Sequence, residues 1–278
     1  MQLWKAHGLG NDYLVWEGKA KQLTPTRVQK ICHRTQGVGS DGILEPCDSV
    51  VADFGVRIWN PDGSIAEKSG NGLRIFAHWL HYHQGAPKRF RIDTGSCIVQ
   101  AHILGSDISI DMGVAYWEPS AIPTAENVWN TEHVFDTQSI VLYAVGVGNP
   151  HCVSFFDTDQ NLDTLPWKKW GESLECDPRF PNRTNVQFAK VINRNNIEIR
   201  IWERGAGETS ASGSSSCAVA SVAHKLGWVD GDITMHMPGG ILSVQIDEAG
   251  EICLIGPVEE VGRTVLSDNF LSVHEIST

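Results

Sequence analysis

The chain has 278 residues, long enough for two modest domains or one large one. It is 41% hydrophobic and 20% charged, the composition of an ordinary globular protein, and no stretch approaches about eighteen uncharged apolar residues, which argues against a membrane-spanning helix. The net charge of -11 argues against a nucleic-acid binder, which needs a basic face, although a few local donors can still hold a small anion.

The first residues, Met1 to His7, carry no apolar run like that of a signal peptide. Leu3 to Glu17 reads as strand, turn, strand, with Gly8-Leu9-Gly10-Asn11-Asp12 at the turn. Thr24 followed by Pro25 predicts a helix start, with Val28, Ile31 and Cys32 turned inward and an end near Gly37-Val38-Gly39. Gly37 to Gly42 has the glycine spacing of a nucleotide loop but lacks the following helix and its lysine or acidic partner, so it is set aside. Phe54 to Trp59 alternates as a half-buried strand does, and Asn60-Pro61-Asp62-Gly63 is a turn. Lys68-Ser69-Gly70-Asn71-Gly72 then opens a helix that carries Leu73, Phe76, Ala77, Leu80 and His81 at helical spacing. Arg89–Asp93, Ile98–Ile103 and Ile108–Met112 read as strands. Cys97, Cys152 and Cys253 read as core, and the seven scattered cysteines suit a reduced, cytoplasmic setting.

The second half repeats this grammar. Tyr143 to Asn149 answers Lys5 to Asn11, with Asn149 falling 138 positions after Asn11. Ile197–Trp202 answers Phe54–Trp59, and Ala211-Ser212-Gly213-Ser214-Ser215 answers the first serine-glycine turn. Ser212 follows Ser69 by 143 positions, and His236 follows Asp93 by the same interval. The fold expected is α/β (α+β): two pseudo-symmetric domains, each a β-layer or barrel wrapped around a central helix. The boundary is placed in the loop Ala115 to Thr137, giving 1–116 and 117–261, with 262–278 packing back on the first half. Each focal serine would then sit at a helix N-terminus, where free backbone N–H groups attract a carboxylate. A cleft between the halves would bring both turns to one substrate.

In chain order, His7 to Asp12, Asn60-x-Asp62-Gly63-Ser64, Gly70-Asn71-Gly72-x-Arg74, Gly148-Asn149-Pro150-His151, Thr184-Asn185-Val186, Trp202 to Thr209 and Met237-Pro238-Gly239-Gly240 resemble the diaminopimelate epimerase family. The resemblance implies inversion at the α-carbon of an amino acid bearing two carboxylates, without pyridoxal phosphate or metal, on the route to lysine and the cell wall. It also implies a cytoplasmic homodimer with no nucleic-acid or membrane partner. The family works with two cysteines, one taking and one giving a proton. The matching positions here are Ser69 and Ser212. By the same resemblance Asn11, Asn60, Asn149, Asn185 and Arg204 would hold the far end of the substrate, Glu203 its ammonium, and Gly70, Asn71, Gly213 and Ser214 its reacting carboxylate. His151 and Glu203 would flank the reacting carbon as further catalytic residues, with His151 as the titratable helper. Three further readings stay open: a diaminopimelate epimerase whose two cysteines have been changed to serine, a paralogue with other acid–base chemistry, such as another amino-acid isomerase or a dehydratase, and a non-catalytic amino-acid-binding protein.

Overall fold

A computed structural model describes residues 1–18, 22–135 and 138–274. It divides into two compact units, Met1–Ile110 with Gly256–Thr278, and Asp111–Ile255.

Unit 1 begins with the hairpin of β1 (Gln2–Gly8) and β2 (Asn11–Trp16). Its two loop residues, Leu9 and Gly10, both have positive φ, the geometry of a tight primed turn. Thr24 caps α1 (Pro25–Cys32) by accepting from Arg27 N–H, and Pro25 fits the first turn, where its missing N–H costs nothing. The helix stops at Cys32, earlier than its sequence suggests. His33 Nδ1 accepts from the backbone N–H groups of Thr35 and Gln36, so a side chain takes donors that would have continued the helix.

Next come β3 (Ile43–Cys47), β4 (Phe54–Trp59), β5 (Ile65–Ala66), α2 (Gly70–Gln84), β6 (Arg89–Asp93), β7 (Ile98–Leu104) and β8 (Asp107–Val114). β2 runs parallel to β3, β3 antiparallel to β4, β4 antiparallel to β5 and parallel to β6, and β6 antiparallel to β7.

The chain from Ala115 to Phe135 is not a plain loop. It contains β9 (Trp129–Phe135), antiparallel to β10 (Gln138–Gly146). β11 (Pro150–Phe156), α3 (Trp167–Glu175), β12 (Asn185–Asn193), β13 (Asn196–Glu203), β14 (Gly207–Thr209), α4 (Gly213–Lys225), β15 (Asp232–Met237), β16 (Gly240–Ile246) and β17 (Glu251–Pro257) follow. The pairing order of unit 1 recurs: β11 parallel to β12, β12 antiparallel to β13, β13 antiparallel to β14 and parallel to β15. The register recurs as well. Phe54 pairs with Ile92 and Ile197 with Met235, each residue displaced by the same 143 positions. The final elements are β18 (Glu259–Val265), antiparallel to β1, and α5 (Asp268–Val273).

In each unit the helix after the serine turn is buried almost all round, as a helix enclosed by sheet must be. α2 achieves this with large apolar residues, among them Ile75, Phe76 and Trp79, each contributing about 1.5–3 kcal/mol on full burial. α4 does it with small ones, Ala218, Ala220, Ser221 and Ala223. The unit division falls inside β8, ahead of the loop chosen from sequence, and the returning segment starts at Gly256 rather than near 262. Cys152 is core, but Cys253 is only half-buried, and Cys97 is exposed in a turn held by Thr94. No helix among the described residues is long and apolar enough to cross a membrane.

Candidate active site

In unit 1 the site is built on the N-terminus of α2. Ser69 has extended backbone (φ -139°, ψ 112°) and its Oγ accepts from Gly72 N–H at 3.1 Å. Such a cap satisfies one of the donors that a helix start leaves open. Asn71 donates through Nδ2 to Asn11 Oδ1 at 3.1 Å, and the buried Arg74 donates through Nη2 to Asn71 Oδ1 at 2.8 Å. Asn11 in turn donates to Asp41 at 2.9 Å. The same Asp41 oxygen accepts from Asp12 N–H, and its partner oxygen takes Arg34. Burial pulls the Asp12 carboxyl upward in pKa, but hydrogen bonds and charge from Arg34 and Lys5 bring it below its ordinary value. Asn11 and Asn71 are therefore fixed as a pair beside Ser69. Asn60 is not joined to them. Its Nδ2 donates to Ser64 Oγ at 2.9 Å, and it closes its own turn.

In unit 2 the start of α4 is set by Gly213, with Ser212 as the N-cap residue. Ser212 is buried and its side chain makes no capping bond, so the cap differs from that of Ser69. Asn149 lies in the β10–β11 turn, after Gly148 at φ 92°. Its Oδ1 is 2.8 Å from His151 Nε2. Gln187 donates through one amide nitrogen to both His151 Nδ1 and Ser215 Oγ, each at 3.0 Å. A polar chain thus runs Asn149–His151–Gln187–Ser215 and ends in the first turn of α4.

His151 is completely buried, and burial pushes its pKa down to about 3. The Gln187 hydrogen bond acts upward, while the Arg204 charge adds to the depression. With Gln187 donating to Nδ1, the proton sits on Nε2 and points to Asn149. The ring is neutral with both nitrogens engaged. It holds Asn149 in place.

Asn185 is also fixed at both ends. It donates to Pro150 O at 2.9 Å, and its Oδ1 accepts from Arg204 N–H at 3.0 Å. The Arg204 backbone is pinned while its side chain is exposed, able to offer a planar fork to a carboxylate. Glu203, beside it, is half-buried at the end of β13.

Three residues that hold site side chains or loops by hydrogen bonds escape sequence reading: Asp41, Gln187 and Glu175. Glu175 accepts from Trp202 Nε1, Gly205 N–H and Arg183, and so frames the loop that presents Glu203 and Arg204. Gly171 lets α3 approach closely, since a Cβ there would meet Trp202 Cβ at 2.6 Å. The only forewarning of Asp41 is its place in the Gly39-Ser40-Asp41-Gly42 turn. Among the described residues no group of three or more His, Cys, Asp or Glu side chains is placed to hold a metal ion.

The sequence matches the family model for diaminopimelate epimerase over residues 3–118 and 143–261. The chain belongs to the diaminopimelate epimerase family. The two matched segments include Asn11, Asn60 and Ser69 on one side and Asn149, Asn185, Arg204 and Ser212 on the other. Among its diaminopimelate epimerase relatives, the protein named diaminopimelate epimerase 2 from Nostoc sp. is 43% identical, with 99% of each chain covered. Diaminopimelate epimerase from Ectopseudomonas mendocina is 37% identical over 92% of this chain and 95% of its own. Solved structures share the fold at low identity. A hydroxyproline epimerase from Agrobacterium vitis superposes with a TM-score of 0.67 at 14% identity, covering 100% of this chain and 98% of its own. A phenazine biosynthesis protein of the PhzF family from Bacillus anthracis gives 0.68 at 17%, covering 96% and 99%.

Proposed function

We propose that this chain is a cofactor-independent epimerase that inverts one α-carbon of diaminopimelate, interconverting the LL and meso forms. The observation that carries the reading is the repeated serine at the mouth of a buried helix, in a chain that its family model matches over residues 3–118 and 143–261. In this reading Ser69 and Ser212 occupy the positions of the family's two cysteines and exchange protons with one substrate carbon. The substrate carboxylate is offered N–H groups of helix starts, Gly70 and Asn71 on α2 and Gly213 and Ser214 on α4. Such donors stabilise the charge that develops as the α-proton leaves. Arg204 pairs with the distal carboxylate and Glu203 with the ammonium. Asn11 and Asn149 contribute through the networks that fix them, and Asn185 positions Arg204. Asn60 contributes through its turn. The substrate is a small-molecule amino acid with two carboxylates, and the protein acts in the cytoplasm as a homodimer.

A serine is a far weaker acid than a thiol, and this favours one second reading: another amino-acid isomerase or a dehydratase on the same scaffold. One experiment separates the possibilities. LL-diaminopimelate is incubated with the protein in deuterated water and followed by NMR. Deuterium at one α-carbon together with meso product is the expected result. Tight binding with no exchange would leave a binding protein. Exchange with another amino acid, but none with diaminopimelate, would move the substrate.

A further inference from the structure

This inference rests on the proposed function and concerns a residue that the family resemblance does not supply. Ser69 Oγ, which accepts from Gly72 N–H, also lies 3.0 Å from the Tyr13 hydroxyl. Tyr13 is in β2 and only 6% exposed. Its ring is wedged against the backbone at Gly42, where a Cβ would come within 2.6 Å of Tyr13 Cε1. The phenol is therefore held on the serine by packing as well as by the hydrogen bond. The two units differ here. Tyr13 is two residues after Asn11, and the residue two after Asn149 is His151. His151 reaches α4 through Gln187 at Ser215, not at Ser212.

A serine hydroxyl has one proton and two lone pairs. Gly72 N–H occupies one lone pair, and the bond to Tyr13 decides the rest. When Tyr13 donates, both lone pairs are filled and Ser69 has only its proton to offer. When Ser69 donates to Tyr13, one lone pair is left to accept. A phenol, titrating near pH 10 when unperturbed, also lies closer to neutrality than an alcohol does. We propose that Tyr13 is the positioning residue that sets Ser69 as proton donor or acceptor at the substrate α-carbon. On protonation, the carbanion electron pair forms the C–H bond with the Ser69 proton. The Tyr13 proton moves to the serine oxygen, and phenolate remains. In reverse, the α-proton passes to Ser69 while the serine proton passes to the phenolate, and the C–H pair stays on carbon. No other reactant enters the step.

The test measures LL-to-meso turnover of the full chain with and without Tyr13→Phe, in the natural background and in Ser69→Cys and Ser69→Ala. In the natural background Tyr13→Phe lowers kcat about 100-fold, with KM within about twofold and an unchanged melting temperature. In Ser69→Cys, whose thiol has acidity of its own, the same change costs less than about twofold, and in Ser69→Ala it has no further effect. Native kcat in Tyr13→Phe, or the same loss in all three backgrounds, overturns the relay and leaves the epimerase reading standing. A natural chain that exchanges no α-proton overturns both.

Discussion

Glu175 accepts the indole N–H of Trp202 on one carboxylate oxygen at 2.8 Å and the backbone N–H of Gly205 on the other at 2.9 Å. A single side chain of α3 thus holds both flanks of Glu203-Arg204. Glu175→Ala removes the acceptor of both N–H groups, at about 1.5 kcal/mol for each bond. The expected outcome is a lower melting temperature and a raised KM, with Glu175→Gln between the variant and the natural chain. A native KM in Glu175→Ala would disconnect this carboxylate from substrate binding.

The two serine caps separate stability from chemistry. Ser69→Ala removes a capping bond and should cost about 1 kcal/mol, whereas Ser212→Ala removes none and should cost less. Both should lose α-proton exchange almost completely. Thermal melts and deuterium incorporation, run side by side, give unequal losses in the first and equal losses in the second. Near-native exchange in Ser212→Ala would take that residue out of the chemistry.

His151 makes acid stability measurable. Its pKa is about 3 in the fold, against an ordinary value of 6.5. Above about pH 6.5 neither state is charged at this ring, and stability is unaffected. As pH falls from there toward 3, the unfolded chain binds a proton that the folded chain refuses. Stability is lost at about 1.4 kcal/mol per pH unit from this one group. Urea unfolding at pH 7, 5 and 4 should therefore show a shallower decline for His151→Gln than for the natural chain. Parallel declines would mean that the buried ring takes up its proton inside the fold.

Thiol reagents should spare activity. Burial pushes Cys32 up to about 11 and Cys152 up to about 12, and Cys217 is buried, while Cys97 and Cys176 are exposed. Iodoacetamide should label Cys97 and Cys176 first, read by mass spectrometry, with turnover retained. Ser69→Cys and Ser212→Cys should each make turnover sensitive to the reagent. Inactivation of the natural chain in step with labelling would place the chemistry on a cysteine instead.

The repeat is legible in the sequence because its markers have strong local chemistry. Serine before glycine at a helix mouth and glycine before asparagine at a hairpin recur at almost fixed intervals, and strand register follows the same interval. β9 is not legible, because its alternation reaches only half-burial and it is held by pairing with β10. The supporting side chains are hidden for a different reason. Asp41 meets Asn11 across 30 positions and Gln187 meets His151 across 36, and no spacing rule reaches that far. Asn60 shows the converse: a motif position whose side chain the structure spends on its own turn. The glycine run at 37–42, set aside as a nucleotide loop, carries Asp41 to Asn11 and gives Tyr13 room at Gly42.

β18 lies near the C-terminus, yet it pairs with β1, from Gln2 opposite Val265 to His7 opposite Glu259. Unit 2 is one uninterrupted stretch, whereas unit 1 needs residues from 256 onward. During translation the later-made unit can therefore close first, while β1 waits with one edge bare until β18 has left the ribosome. In nascent chains arrested at increasing length, protease resistance should arise in Asp111–Ile255 before it reaches Met1–Ile110.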